Sequence, residues 1–395
     1  MTLTLMQQVD KVVGVPIAWM LGFFTHRSKT LAGDQKPSRP KRVICTKFVG
    51  LGSVTLALPM LKALKESGVE IAFWTFSSQA ELLRISGYVD HVWVVKPSLL
   101  RFPLSMLQCL WKAIRFKADA FLDMEQTSNC SAILARLSGS PVRVGFLCGK
   151  PVREGLFTHL VSLTAGRHMC ESILLMAHSI GVNADLASPL PSPRVPHFSQ
   201  AKPQIGSAAK VIVVNINTSD LGQLLRQWPD SHWVSLCREL LKDPEAELVF
   251  PGVRSEAANN QRVIEQLVAA EGESVRTRIV NLAGKSSLTE LMALLKDAHL
   301  AISVDSGVMH LAAWAGTPVI GLFGPETPQL YAPRSKRSKV IWAALPCSPC
   351  CTVATEKHTR CRDNQCMKKI APTQVLLAAR ALIQEIERGQ HPLVA

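Results

Sequence analysis

Tyrosine is nearly missing from this chain of 395 residues: there are two, beside 13 Phe and 8 Trp. No Lys/Arg-rich helix interleaved with aromatics occurs, and no zinc-finger spacing of Cys and His. A base-stacking platform or a groove-reading helix has little to be built from, so nucleic acid is not the expected partner. Acidic residues are also short, 30 against 44 basic, for a formal net charge of +14. With nucleic acid set aside, such an excess points to an anionic membrane surface or an acidic substrate. No apolar run reaches the roughly 18 residues of a membrane-spanning helix. Met1 to Gln8 carries no basic side chain, which removes the usual start of a secretory signal. The short repeats of solenoids are absent. Eleven Cys, an odd number spread over several expected strands and helices, argue against a disulfide framework and for reduced thiols in a cytoplasmic setting.

What is present is an ordinary globular balance, 47% hydrophobic and 19% charged, in a chain long enough for two domains. Val43–Lys47, Glu70–Thr75, Val92–Val95, Phe121–Met124 and Val142–Phe146 read as strands separated by helical patterns such as Leu104–Arg115 and Ser131–Leu137. Ser188–Pro196 is rich in Pro, and the chain stays polar to Gly206. A second alternation follows: strand Val211–Asn215, helix Ser231–Leu241, strand Leu248–Phe250, helix Glu256–Ala269, strand Ile279–Leu282 and helix Leu288–Lys296. The expected fold is α/β, with two Rossmann-like doubly wound domains facing across a cleft. The divisions fall at 1–40 (apolar segment and linker), 41–189, 190–209 (linker), 210–372 and 373–395 (C-terminal helix and tail). Val12–Phe24 is apolar but short. It is either an interfacial helix inserting Trp19, Phe23 and Phe24 beside the basic His26, Arg27 and Lys29, or a helix packed on the domain or a partner.

In open α/β sheets, ligands sit at the carboxyl ends of strands against the helix starts that follow. Leu300–Val304 reads as a buried strand, Asp305-Ser306-Gly307 as its turn, and the next residues, His310 among them, as a helix stopped by Gly316. Asp305 and Ser306 stand where they could grip sugar or ribose hydroxyls, or else Asp305 merely caps that helix. Asn215-Ile216-Asn217-Thr218-Ser219-Asp220 is a second polar strand end, with Thr218 a candidate ligand contact. Arg226-Gln227-Trp228-Pro229 offers a guanidinium that can fork onto a diphosphate, with Trp228 as a wall, or else an exposed Arg near a cap. Pro251–Glu256 is a further strand end, where Glu256 either serves the helix dipole or accepts ribose hydroxyls. In the first half, Gly50-Leu51-Gly52-Ser53 follows a strand and opens a helix, without the full dinucleotide fingerprint. Near the C-terminus, Cys347, Cys350, Cys361 and Cys366 are spaced like a loose zinc or iron–sulfur ligand set. We read them as reduced thiols and expect neither a metal nor a cofactor.

Taken together, these residues resemble the heptosyltransferase family of lipopolysaccharide biosynthesis, glycosyltransferase family 9. Asp305 to Pro318, continued by Val319-Ile320-Gly321-Leu322-Phe323-Gly324-Pro325, is similar to the family's D-[ST]-G-x-x-H-L-A-A-x-x-G-T-P…F-G-P signature. Arg226-Gln227-Trp228-Pro229 matches its basic-x-W-P element, Gly50–Val54 its G-D-V loop, and Cys347–Cys350 with Cys366-Met367 its C-terminal pattern. The resemblance implies a GT-B fold and inverting transfer of a sugar, heptose by default, from a nucleotide-diphosphate donor to a lipid-linked saccharide acceptor. The setting it implies is cytoplasmic, peripheral on the inner face of the plasma membrane. Asp305, Ser306, Gly307 and His310 would hold the donor, Arg226 its diphosphate and Glu256 its ribose. Ser53 stands where the family usually carries the Asp that deprotonates the acceptor. A Ser hydroxyl is no base at neutral pH without activation, so Glu125, just past the strand Phe121–Met124, is expected to take that role. The alternatives are a non-catalytic scaffold that kept the nucleotide pocket, or a sugar-nucleotide epimerase.

Overall fold

The computed structural model describes residues 8–22, 29–30, 39–98, 101–164, 166–193, 210–218, 223–352 and 359–389. Phe23, Phe24, His26, Arg27, Ser219, Asp220 and linker residues 194–209 lie outside the described residues. The chain forms two compact units, Met1–Pro191 and Ser192–Ala395.

The first unit carries strands β1 (Lys29–Thr30), β2 (Arg42–Thr46), β3 (Glu70–Phe76), β4 (His91–Val95), β5 (Ala120–Asp123), β6 (Val142–Leu147) and β7 (His159–Ser162). They make one sheet in the order β1-β7-β6-β5-β2-β3-β4, every pairing parallel. Val43, Ile44, Cys45, Phe121 and Leu122 are fully buried. Strands of a parallel sheet covered on both faces read as continuous apolar runs, and these do. From β2 the chain winds outward to β3 and β4, then returns to lay β5 on the other side of β2. The switch point lies between β2 and β5.

The second unit repeats the plan with β8 (Lys210–Asn215), β9 (Ala246–Phe250), β10 (Ile279–Asn281), β11 (Leu300–Val304), β12 (Val319–Phe323) and β13 (Ser338–Trp342). Its order is β10-β9-β8-β11-β12-β13, again parallel throughout, with the switch point between β8 and β11. The helix Gly307–Ala315 stops at Gly316, whose φ of 85° is the left-handed value a glycine accepts readily. The C-terminal helix Pro372–Glu387 does not stand apart as its own segment. Its apolar face, Val375, Leu376, Ala379 and Leu382, enters the core of this unit against β12, β13 and the helix Asp230–Leu240.

At the N-terminus a π-helical turn, Asp10–Gly14, leads into the helix Val15–Gly22. One side packs on the first unit through Gly14 and Ala18, both buried. A Cβ on Gly14 would come within 3.2 Å of the Asn129 Cβ, so the small residue sets the close approach. The Asp10 carboxylate accepts hydrogen bonds from the Asn129 N–H at 2.8 Å and the Cys130 N–H at 2.6 Å. It thus supplies acceptors to the start of the helix Asn129–Leu137, a long way off in sequence. Burial raises the pKa of Asp10 above the ordinary carboxyl value, against those hydrogen bonds. Among the described residues, no helix is long and apolar enough to cross a membrane.

Candidate active site

In the second unit, the two strands flanking the switch point end in Asn215 and in Asp305-Ser306. The Asn215 side-chain amide lies 2.8 Å from the Ser306 hydroxyl, 2.9 Å from that of Ser303 and 3.0 Å from the Asn217 carbonyl, donating into this polar knot. Ser306 is the N-cap residue of the helix Gly307–Ala315, yet its side chain makes no capping bond. A helix start without a side-chain cap, at the carboxyl edge of a sheet, suits an anion.

Asp305 does not cap that helix. It is buried, and its carboxylate lies 3.4 Å from the Arg226 Nε, while the Arg226 Nη2 lies 3.8 Å from Glu326. These distances are ion pairs rather than hydrogen bonds, and the buried Arg226 Nε has no hydrogen-bond partner among the described residues. Burial works against the guanidinium charge, but Asp305 and Glu326 outweigh it and hold the pKa above the ordinary arginine value. The result is one cation between two carboxylates, beside a helix start.

Arg226 is positioned from the far end of the chain. Asn364 donates to the Gln227 carbonyl at 2.7 Å, and the Trp228 indole donates to the Ile370 carbonyl at 3.0 Å. Trp228 is no pocket wall: it is buried, edge-on to Trp233 with ring centroids 4.8 Å apart. The tryptophan anchors the loop that carries the arginine. Glu326, which the sequence reading missed, follows the quoted Phe323-Gly324-Pro325. Trp342 and Ser348 donate to the Gly324 carbonyl, and the Cys350 and Cys351 N–H groups donate to the Pro325 carbonyl. A Cβ on Gly324 would lie 2.5 Å from the Met367 sulfur and 3.2 Å from that of Cys366, so a larger residue would have to displace the Met367 side chain.

Thr218 is buried just past β8, and His310 is buried in the helix Gly307–Ala315, whose first residue is Gly307. Glu256 accepts from the Val253 N–H at 2.8 Å, serving its own helix start. Asn217 donates to Asn260 at 2.7 Å, and Asn260 donates to the Phe250 and Pro251 carbonyls, which ties the ends of β8 and β9 together.

In the first unit, Glu125 lies two residues past β5. Its carboxylate takes a hydrogen bond from the Phe48 N–H at 2.6 Å and pairs with Lys47 at 2.8 Å, and its side chain is 13% exposed. Ser53 stands in the first turn of the helix Leu51–Glu66, its hydroxyl 3.2 Å from where a Cβ on Gly50 would be. Both residues thus flank the β2/β5 switch point. Behind Glu125, the fully buried Arg153 donates to Asp123 at 2.8 Å, to the Ser128 carbonyl at 3.0 Å and to the Glu125 carbonyl at 2.5 Å. Burial pushes the Asp123 carboxyl up to about 6, although Arg153, Ser131 and the Glu125 N–H all work to keep it ionised.

The C-terminal thiols lie near one another around Cys366. Burial pushes Cys366 up to about 11, and nearby Cys350, Cys361 and Cys347 raise it further. Among the described residues, no group of three or more His, Cys, Asp or Glu side chains is arranged to hold a metal ion.

Two parallel sheets of like strand order, each with polar residues at its switch point, define the two-Rossmann GT-B class of fold. The model of glycosyltransferase family 9 (heptosyltransferase) matches residues 107–359, well over half of the sequence, and the chain belongs to that family. Lipooligosaccharide heptosyltransferase 2 of Haemophilus influenzae is 34% identical over 116 residues, 29% of this chain and 32% of that protein. The match thus spans only about a third of that curated relative's length. The E. coli ADP-heptose lps heptosyltransferase II structure superimposes with a TM-score of 0.69 at 19% identity, covering 88% of this chain and 99% of that one. The glycosyl transferase family 9 structure from Veillonella parvula gives 0.68 at 20% identity, over 87% and 97%. At these identities the likeness shows the fold.

Proposed function

We propose that the protein is an inverting glycosyltransferase that moves a heptose-type sugar from a nucleotide-diphosphate donor to a lipid-linked, lipopolysaccharide-type acceptor. ADP-heptose is the first donor to test, since ADP-heptose stands in the name of the E. coli structure that shares the fold. One observation carries the reading: Arg226 held between Asp305 and Glu326, beside the start of the helix Gly307–Ala315, within the stretch that carries the family signature. The second unit takes the donor, with Asp305, Ser306 and Gly307 on the sugar and phosphate. In the reaction the acceptor oxygen bonds to the anomeric carbon while the carbon–oxygen bond to the phosphate breaks. The leaving diphosphate keeps the electron pair, and its growing charge is stabilised by Arg226 and the first-turn N–H groups.

The first unit takes the acceptor, and the proton of the acceptor hydroxyl goes to Glu125. Each oxygen of Glu125 already accepts one hydrogen bond, and a carboxylate oxygen has a second lone pair to offer. The N-terminal helix keeps the enzyme at the inner membrane face. Ser53, in the loop where the family carries a base, favours the second reading, a sugar-nucleotide-binding scaffold. Incubation with radiolabelled ADP-heptose and membranes bearing heptose-deficient lipopolysaccharide is expected to label the lipid fraction. Absence of turnover with ADP-, UDP- and GDP-sugars alike, in a protein that still binds one of them, would establish the scaffold instead.

A further inference from the structure

The helix Arg101–Phe116 is apolar on two sides. Ser105, Cys109 and Ala113 face inward, and Phe102, Met106, Leu110 and Phe116 lean on the core of the first unit. Away from them, Leu104, Leu107, Trp111 and Ile114 are 63%, 63%, 55% and 51% exposed. They recur three and four residues apart, so they form one stripe along the helix. A helix on a globular surface ordinarily carries charged and polar residues there.

The charge around the stripe has one sign. From His91 to Ala118 the sequence contains no Asp or Glu, while Lys96, Arg101, Lys112, Arg115 and Lys117 all fall within it. The Arg115 guanidinium lies over the Trp111 ring at 3.9 Å, which joins a cation directly to the apolar stripe. The N-terminal helix has the same character: Val12, Trp19 and Met20 are 73%, 58% and 58% exposed, and no acidic residue occurs from Lys11 to Gly33. Both helices pack against the helix Asn129–Leu137, so they are neighbours on one unit.

We propose that the exposed face of Arg101–Phe116 is a second membrane-docking element, which seats the first unit on an anionic phospholipid surface together with the N-terminal helix. Leu104, Leu107, Trp111 and Ile114 enter the interface, and Arg101, Lys112 and Arg115 meet the lipid phosphates. Charge decides between a bilayer and a second copy of the chain. A two-fold contact would press this acid-free stripe onto itself and bring like charges together, whereas anionic lipid complements both the cations and the apolar side chains. The proposal deepens the membrane reading above and rests on it, while the transfer chemistry does not depend on it.

The test is co-sedimentation of the full chain with vesicles of phosphatidylcholine and phosphatidylglycerol, compared with phosphatidylcholine alone. The parent is expected to bind the anionic vesicles, with partial release by high salt, since salt screens the cations but not the apolar contact. Leu107→Glu with Trp111→Glu is expected to weaken binding at least about tenfold, from the apolar burial lost. Lys112→Glu with Arg115→Glu is expected to weaken it about fivefold or more per site on anionic vesicles only. Thermal melting and nucleoside-diphosphate affinity serve as folding controls and are expected to stay at the parent's values. If the Leu107/Trp111 variant binds like the parent while Trp19→Glu does not, this proposal falls and the N-terminal anchor stands. If the parent binds no anionic vesicles, both fall, whatever its turnover with detergent-dispersed acceptor. Sedimentation of the parent as a dimer that the Leu107/Trp111 change dissolves would also overturn the lipid assignment.

Discussion

Replacing Arg226 by Ala tests the proposed donor site at its centre. The structure pairs the guanidinium with both Asp305 and Glu326, whose side chains are 9% and 1% exposed. Two separable effects follow. A diphosphate loses charge-assisted hydrogen bonding worth about 1.5–3 kcal/mol in total, so the dissociation constant rises about 10- to 150-fold. The fold loses the neutralising partner of two buried carboxylates. Breaking a fully buried pair costs about 3–5 kcal/mol, and with the Arg226 side chain 15% exposed the loss falls at or below the lower end. Calorimetric titration with ADP, UDP and GDP reads the first effect, and urea denaturation reads the second. Arg226→Lys separates them, since it keeps the charge, and most of the stability, but lacks the planar fork that grips a diphosphate. Parent-like affinity of Arg226→Ala for the nucleotide the parent prefers would remove Arg226 from the donor site.

Other outcomes follow from the same geometry. Ser53→Asp should preserve or raise turnover, and a fall in the rate of sugar transfer would refute the idea that it restores the family arrangement. Asp123→Ala leaves the buried Arg153 without its charge partner and should cost about 3–5 kcal/mol in urea denaturation. Asp10→Ala removes the acceptor for the Asn129 and Cys130 N–H groups; it should cost about 1 kcal/mol and speed tryptic cleavage after Lys11. Gly324→Ala forces a Cβ against Met367 and should destabilise the second unit by about 1–3 kcal/mol, seen as a lower Tm.

The sequence showed most where backbone and side chain obey one rule at a time. Leu300–Val304, the Asp-Ser turn and the glycine stop at Gly316 could be read because a buried parallel strand, a helix start and a left-handed cap each leave a local mark. The start of the helix Ser77–Ser86 left none, although Gly87 marks its end with a φ of 68°. It starts straight from the extended Phe76, without a Gly or Pro break and without a side-chain cap. The strand β13 is only partly buried along its whole length, so its pattern lacks the apolar run of the inner strands. Trp228 was misread because a tryptophan beside a charged loop looks like a ligand wall until Trp233 and Ile370 are folded around it. Glu326 and Asp10 act through partners a hundred or more residues away, Arg226 for the first and Asn129 for the second, and no local periodicity records such a pairing.

The choice of base in the first unit depends on access before proton affinity. Two carboxyls follow one another at the end of β5, and the one with the clearly raised pKa, Asp123, looks at first the better acceptor. Yet Asp123 is fully buried, one oxygen taken by the Glu125 N–H and the other by Arg153 and Ser131. An acceptor hydroxyl has no route to it without dismantling the support of the loop that carries Glu125. Glu125 keeps 13% of its side chain exposed, and its Lys47 partner is a single ammonium rather than a buried, forked guanidinium. The two assignments separate in experiment. Glu125→Gln keeps the shape and should keep the Tm and donor affinity while turnover drops by about 10²–10⁴-fold, the contribution of a general base. If Asp123 were the base, Glu125→Gln would turn over nearly as the parent does, and that result would move the proton to a carboxylate that also holds the fold together.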